Sequence, residues 1–200
     1  SQLHLPFDLK IIEVSKDMRI DLGQLTIDVV ELSHSIPSYG YVVTFADKPG
    51  KFDVAKAKAL GVPEGPLYAK LKRGETITLP DGRSIDGTLL IGEPQKGKRI
   101  VIGGDNDTPL LFEKFAPFDL MIHEATYTQY DFDHLPRKFQ HTTAKALAQA
   151  AQQMGVSWLI LNHISPRYDK DGRIVELVEE AKRHFDGKVD VAYDLWQIEI

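Results

Sequence analysis

Apolar residues along this chain gather in short runs, and several of these end abruptly at a polar residue or a glycine. Val29-Val30-Glu31-Leu32 stops at Ser33-His34, Arg99-Ile100-Val101-Ile102 runs into Gly103-Gly104-Asp105, Asp119-Leu120-Met121-Ile122 into His123-Glu124, and Trp158-Leu159-Ile160-Leu161 into Asn162-His163. Runs of this length, rich in β-branched residues, read as strands. Leu9–Val14, Leu25–Leu32 and Tyr41–Phe45 alternate as strands do, Glu75–Leu79 is a strand closed by the turn Pro80-Asp81-Gly82, and Val189–Tyr193 and Leu195–Ile200 read as closing strands. Helical spacing marks three other segments. Phe52–Leu60 is a short helix ended by Gly61, and Ala144–Met154 is capped by Thr142 or Thr143 and ended by Gly155. In Arg173–His184, Ile174, Leu177, Val178 and Ala181 share one face, with Lys182, Arg183 and His184 in the last turn where cations suit the helix dipole. Strands alternating with helices predict an α/β fold.

Composition adds limits. With 42% hydrophobic and 26% charged residues, 200 residues bury a real core, and one domain is the expectation. The stretch from Gly61 to Gly87 reads as an insertion, and no repeat or linker interrupts the chain. There is no cysteine, which excludes disulfides and thiolate zinc sites and leaves His and carboxylate as the strong metal ligands. No apolar run approaches the roughly 18 to 20 residues that span a bilayer, and Ser1-Gln2-Leu3-His4 lacks the basic and apolar regions of a secretory signal. A cytoplasmic protein with no membrane partner is expected.

The net charge of −5 argues against a protein that coats nucleic acid, but the charge is uneven. Between Asp47 and Asp86, eight basic residues stand against six acidic ones, so that segment is +2 and the remainder −7. Charge alone describes a solvated surface; a cationic arm on an anionic body can also contact phosphates locally.

Strand ends that deliver His34, Asp105, His123-Glu124 and His163 toward one rim are how an α/β enzyme assembles a site from residues far apart in sequence. A single His at a strand end is more often a hydrogen-bonded structural residue, so the inference rests on the group. The centre is expected to be partial, because no HxH or HxxxH occurs anywhere in the chain. His4, His134 and His184 lack supporting context and read as surface residues.

The residues around these strand ends resemble one family. Ser33-His34-Ser35-Ile36-Pro37-Ser38-Tyr39-Gly40-Tyr41, Gly104-Asp105, His123-Glu124-Ala125-Thr126, His141-Thr142-Thr143-Ala144 and His163-Ile164-Ser165-Pro166-Arg167-Tyr168 follow the order seen in ribonuclease Z, metallo-β-lactamase-fold endonucleases that trim the 3′ end of precursor tRNA. Between the first two motifs, Pro49-Gly50-Lys51-Phe52-Asp53, Leu60–Tyr68 and Leu71-Lys72-Arg73-Gly74 resemble the Gly-Pro-containing arm by which that family holds tRNA. The resemblance runs from about Val29 onward and covers only the C-terminal part of the family, whose HxHxDH motif lies upstream of this chain.

The resemblance implies an αββα sandwich with helices outside two sheets, an arm inserted at about 47–87, and residues 1–200 as the C-terminal part of one such domain. It implies two zinc ions per complete site, with His34 and His163 each binding one and Asp105 bridging them; the remaining ligands come from the upstream motif. By the same resemblance, His141 protonates the leaving 3′ oxygen, and Glu124 orients His141 by a hydrogen bond. Lys70, Lys72 and Arg73 on the arm, and Arg167, are the substrate-binding residues, with precursor tRNA as the partner and a homodimer as the assembly. In one respect the sequence departs from the pattern: the family's Asp is followed by Thr, whereas here Asn106-Asp107-Thr108-Pro109 follows Asp105. Asp107 therefore competes for the bridging role, and Asp105 is preferred because it directly follows Gly104 at the strand end. His123 stays open between a structural and a functional role. The expected activity is zinc-dependent removal of the 3′ trailer of precursor tRNA. The alternatives are a hydrolase of the same fold acting on a small phosphodiester or ester, and a metal-free, non-catalytic fragment.

Overall fold

A computed structural model describes Phe7 and residues 10–200. In chain order the elements are β1 (Arg19–Asp21), β2 (Leu25–Glu31), β3 (Tyr39–Phe45), α1 (Val54–Ala59), α2 (Pro66–Lys72), β4 (Thr76–Thr78), β5 (Ser84–Asp86), β6 (Arg99–Ile102), β7 (Leu120–Glu124), α3 (Gln129–Asp133), α4 (Ala144–Gln153), β8 (Trp158–Asn162), α5 (Ile174–Lys182) and β9 (Lys188–Val191). They form two compact units, one made of the residues up to Phe45 with Lys98–Ile200, the other of Ala46–Gly97.

The larger unit is built on one seven-stranded sheet in the order β1-β2-β3-β6-β7-β8-β9. Strands β1, β2, β3 and β6 pair antiparallel, and β6 through β9 pair in parallel. Parallel neighbours need crossover connections, and α4 and α5 supply two of them. Alternation decides which side chains meet the helices. Val30, Val42, Val101, Met121, Leu159 and Val189 on one face join Leu147, Ala148, Ala151, Leu177 and Ala181 of α4 and α5 in a single core. Thr143 starts α4 by accepting the Ala146 N–H at 3.1 Å, and the alanines of α4 let the helix lie close to the sheet. The opposite face of the sheet is apolar as well. Ile27, Val43, Ile100 and Leu120 lie in one row, and Val29, Tyr41, Ile102, Ile122 and Ile160 in the next, with Ile102 45% exposed. A sheet that is apolar on both faces is the inner layer of a stack, as the sandwich architecture requires.

The smaller unit has its own core of Ala57, Val62, Leu71, Ile77, Leu79, Ile85 and Leu90 around the β4–β5 ribbon. Asp53 caps α1 through a 2.8 Å bond from Lys56 N. Gly65 precedes α2 at φ 142°, a value open to glycine, and Pro66 takes the first helical position, where its missing N–H is no loss. Helix α2 was not foreseen, because Gly65-Pro66 reads locally as a turn.

Two expected strands do not form. Leu9 lies outside the described residues, and Lys10–Val14 has no regular structure; the first strand starts at Arg19. Leu195–Ile200 is also irregular, with Leu195 98% exposed at φ +63°. Alternation is only half of a strand, because a ladder partner is needed too, and β9 ends the sheet without pairing to this tail. No helix of the described residues is long and apolar enough to cross a membrane.

Candidate metal and acid-base centre

The ends of β2, β6, β7 and β8, with the loop before α4, bring the predicted side chains together. One ligand atom from each of Glu124, His141 and His163 lies within 4.8 Å of the others, a group able to hold a metal ion. His163 Nε2 is 3.2 Å from Asp105 Oδ2. The His141 ring centre is 5.3 Å from that of His163 and 6.4 Å from that of His34. His34, Asp105, Glu124, His141 and His163 thus share one rim.

Glu124 is wholly buried, and its oxygens are already engaged. Oε1 accepts the Asn106 N–H at 2.6 Å; Oε2 accepts from His141 Nδ1 at 2.8 Å and from the Thr126 hydroxyl at 2.5 Å. With both lone pairs of Oε2 in use, Glu124 is suited to orienting His141 more than to holding an ion. Its bond to Nδ1 leaves Nε2 of His141 as the outward nitrogen.

Thr126 has a second partner. Its hydroxyl has one proton, which the shorter contact assigns to Glu124, so it accepts from His163 Nδ1 at 3.2 Å. His163 then presents an Nε2 lone pair toward the Asp105 carboxylate. A ring nitrogen and a carboxylate oxygen 3.2 Å apart are joined by a proton or by a metal ion, and ligands about 2.1 Å from one tetrahedral ion lie about 3.4 Å apart. The donor set therefore fits a metal of the zinc class. The His163 backbone is left-handed, φ +48°, a conformation uncommon outside glycine and of the kind that gathers at functional sites.

Asp107 sits differently. Its Oδ1 accepts the Thr108 hydroxyl at 2.8 Å, and it borders a separate cavity with Pro109 and Ala146, so geometry favours Asp105. His123 is fully buried against Gly103, where an added Cβ would fall on the imidazole ring. Burial pushes its pKa down to about 4, so it is neutral near pH 7. Arg167 lies 4.9 Å above the Tyr127 ring, itself 6.3 Å from the His141 ring, and 4.0 Å from Asp131, a position consistent with closing a loop as much as with meeting a ligand.

Lys70, Lys72 and Arg73 belong to the smaller unit. Arg73 Nε bonds Glu75 at 2.6 Å and Lys72 Nζ sits 5.8 Å from the Phe52 ring, while Lys70 and Lys72 pair with no carboxylate among the described residues. Exposed pairs such as Arg73–Glu75 contribute at most about 1 kcal/mol, so the guanidinium is easily drawn to another anion.

Thr126, Asn106 and Thr142 are the site residues that sequence reasoning passed over. All three lie within or beside the motifs that carry the resemblance, but hydroxyl and amide side chains have no spacing signature, so only proximity to the marked residues pointed to them.

A metallo-β-lactamase fold is the class this architecture defines. A crystal structure of the metallo-beta-lactamase fold protein YhfI from Bacillus subtilis matches 90% of the chain and 52% of its own, with TM-score 0.50 and 17% identity. Within that class the chain resembles ribonuclease Z: it is 40% identical over its whole length to a ribonuclease Z of Brevibacillus brevis and 38% identical to one of Trichodesmium erythraeum. The chain spans 64% and 63% of those two relatives, and the resemblance is to their C-terminal part. No family model matches.

Proposed function

We propose that this chain is the C-terminal part of a metal-dependent phosphodiester hydrolase that cuts RNA, with removal of the 3′ trailer of precursor tRNA as its reaction. The observation that carries the reading is the buried Glu124 carboxylate holding His141 Nδ1 at 2.8 Å, beside a His163–Asp105 pair whose facing acceptors suit a cation. His34, Asp105 and His163 would hold zinc, two ions in the complete site, with further ligands from an upstream segment. A bound metal supplies an activated water and neutralises charge on the phosphate.

The chain's own residues handle the proton. Glu124 fixes the tautomer of His141 and stabilises its imidazolium, so that Nε2–H can pass to the departing 3′ oxygen. Thr126 holds His163 with Nε2 free for the metal. The cavity of about 340 Å³ beside His163, bordered by Asn162, Ile164, Asp169 and Tyr193, gives room for part of the substrate. The second apolar face of the sheet, buried at Val29, Leu120 and Ile160 but open at Ile102, supports the partial-domain reading, because a further layer would complete its cover. In this reading Lys70, Lys72 and Arg73 on the arm hold the tRNA body, Arg167 borders the substrate, and the enzyme works as a cytoplasmic homodimer.

The test compares precursor tRNA with a small aryl phosphodiester, using the full-length protein loaded with zinc. Cleavage of the tRNA at its 3′ end, lost on His141→Ala with metal content retained, is the expected result. Turnover of the small ester alone would replace RNA with a small-molecule substrate, and absence of both activities in a zinc-loaded protein would leave the non-catalytic alternative.

A further inference from the structure

We infer that Asn106 is the positioning residue that ties four loops of the site to one another and holds His123 in its Nδ1–H form. Asn106 is entirely buried, although it follows the half-exposed Asp105. Its Oδ1 accepts the Ser33 N–H at 3.3 Å and the Thr108 N–H at 3.1 Å. Its Nδ2 donates to Thr108 O at 3.1 Å and to His123 Nε2 at 3.3 Å. The main chain extends the pattern, since Asn106 N–H holds Glu124 Oε1 and Asn106 O accepts the Thr142 hydroxyl. Asn106, itself next to Asp105, therefore touches the neighbour of His34, Thr108 of its own loop, Glu124 itself and the neighbour of His141. A buried polar network with every member satisfied fixes a single arrangement of the loops that make it.

Only an amide serves this position. His123 Nδ1 lies 2.9 Å from the Glu124 carbonyl oxygen, which can only accept, so Nδ1 carries the proton and Nε2 is a lone pair. Whatever faces Nε2 must donate, while whatever faces the Ser33 and Thr108 N–H groups must accept. Asparagine does both from one side chain. Aspartate supplies the acceptors but sets an oxygen against the lone pair. The consequence reaches the proton donor: the Asn106 N–H holds Oε1 of Glu124, which leaves Oε2 directed at His141.

The inference rests on the hydrolase reading only for its rate measurement, and ring-nitrogen NMR tests it independently. In the full-length protein with 15N-labelled histidine, His123 is expected to show protonated Nδ1 and bare Nε2, and the His141 Nδ1–H to give a far-downfield proton signal. Asn106→Asp preserves both acceptors and removes the donor. It is expected to retain the fold by circular dichroism, to abolish the single Nδ1–H form of His123, and to lower the rate on a small phosphodiester roughly 10- to 100-fold at unchanged KM. Asn106→Ala is expected to shift the His141 signal as well. Should the alanine variant fail to fold, His123→Gln, which removes the same contact from the other side, takes its place in the His141 measurement. Unaltered His123 and His141 signals in these variants would overturn the inference. The expected signals in a protein that cleaves no phosphodiester would keep it and discard the hydrolase reading.

Discussion

Glu124 Oε2 lies 2.8 Å from His141 Nδ1, with the carboxylate sealed from solvent and the imidazole side chain 21% exposed. A buried carboxylate behind a half-open imidazole separates the two sides of the ring: one nitrogen is anchored and the other faces outward. His141→Ala in the full-length protein is expected to lower the chemical step by roughly 10²- to 10⁴-fold while zinc content stays at the wild-type level. His163→Ala and Asp105→Ala are expected to lose metal together with activity. Metal analysis beside single-turnover rates decides, and zinc loss in the His141 variant would make it a ligand.

His123 supplies a pH dependence of stability. Burial lowers its folded pKa to about 4 from an ordinary 6.5, so between these values the unfolded chain takes up a proton that the folded one refuses. Its contribution is therefore complete above about pH 6.5 and fades as pH falls toward 4, with a span of about 3 kcal/mol. Denaturant melts from pH 7 to pH 4 are expected to show this loss, and His123→Gln to flatten it. A variant with the wild-type slope would assign the acid sensitivity to other groups.

Gly103 is expected to tolerate no side chain. A Cβ there falls on the His123 ring, which the Asn106 amide and the Glu124 carbonyl hold in place. Gly103→Ala should lower stability by about 1–3 kcal/mol and disturb the site with it. A melting curve like that of the wild type would mean that the ring moves freely.

The 200-residue chain alone is expected to bind zinc weakly and to be inactive. In the proposed centre three ligands would serve two ions, whereas a catalytic zinc normally has three protein ligands. Competition with a chromophoric chelator measures this, and an affinity equal to that of the full-length protein would refute it.

Deletion of Asp53–Arg83 tests the arm. The apparent KM for precursor tRNA is expected to rise, and the salt slope to fall by about one unit for each phosphate contact removed. Turnover of a small phosphodiester should barely change. An unaffected response to tRNA and salt would leave Lys70, Lys72 and Arg73 as ordinary surface cations.

Much of this protein is determined by sequence alone. The runs Arg99–Ile102, Leu120–Ile122 and Trp158–Leu161 are strands because β-branched and aliphatic residues follow one another up to a glycine or polar stop, and α4 begins at Thr143 because a hydroxyl there can take the Ala146 N–H. These are local effects that need no distant partner. His34, Asp105, Glu124 and His163 were legible because reactive side chains stood at the ends of such runs, whereas His141, in the loop before α4, was marked only by the family resemblance. Tertiary structure decided the rest. Leu195–Ile200 alternates like a strand but has no ladder to join, and α2 forms although Gly65-Pro66 reads as a turn, with Leu71 buried in a core assembled from distant residues. Asn106 shows the limit most clearly. Nothing local distinguishes it from any loop asparagine, because its role comes from Ser33, His123, Glu124 and Thr142, which meet it only when the strands align.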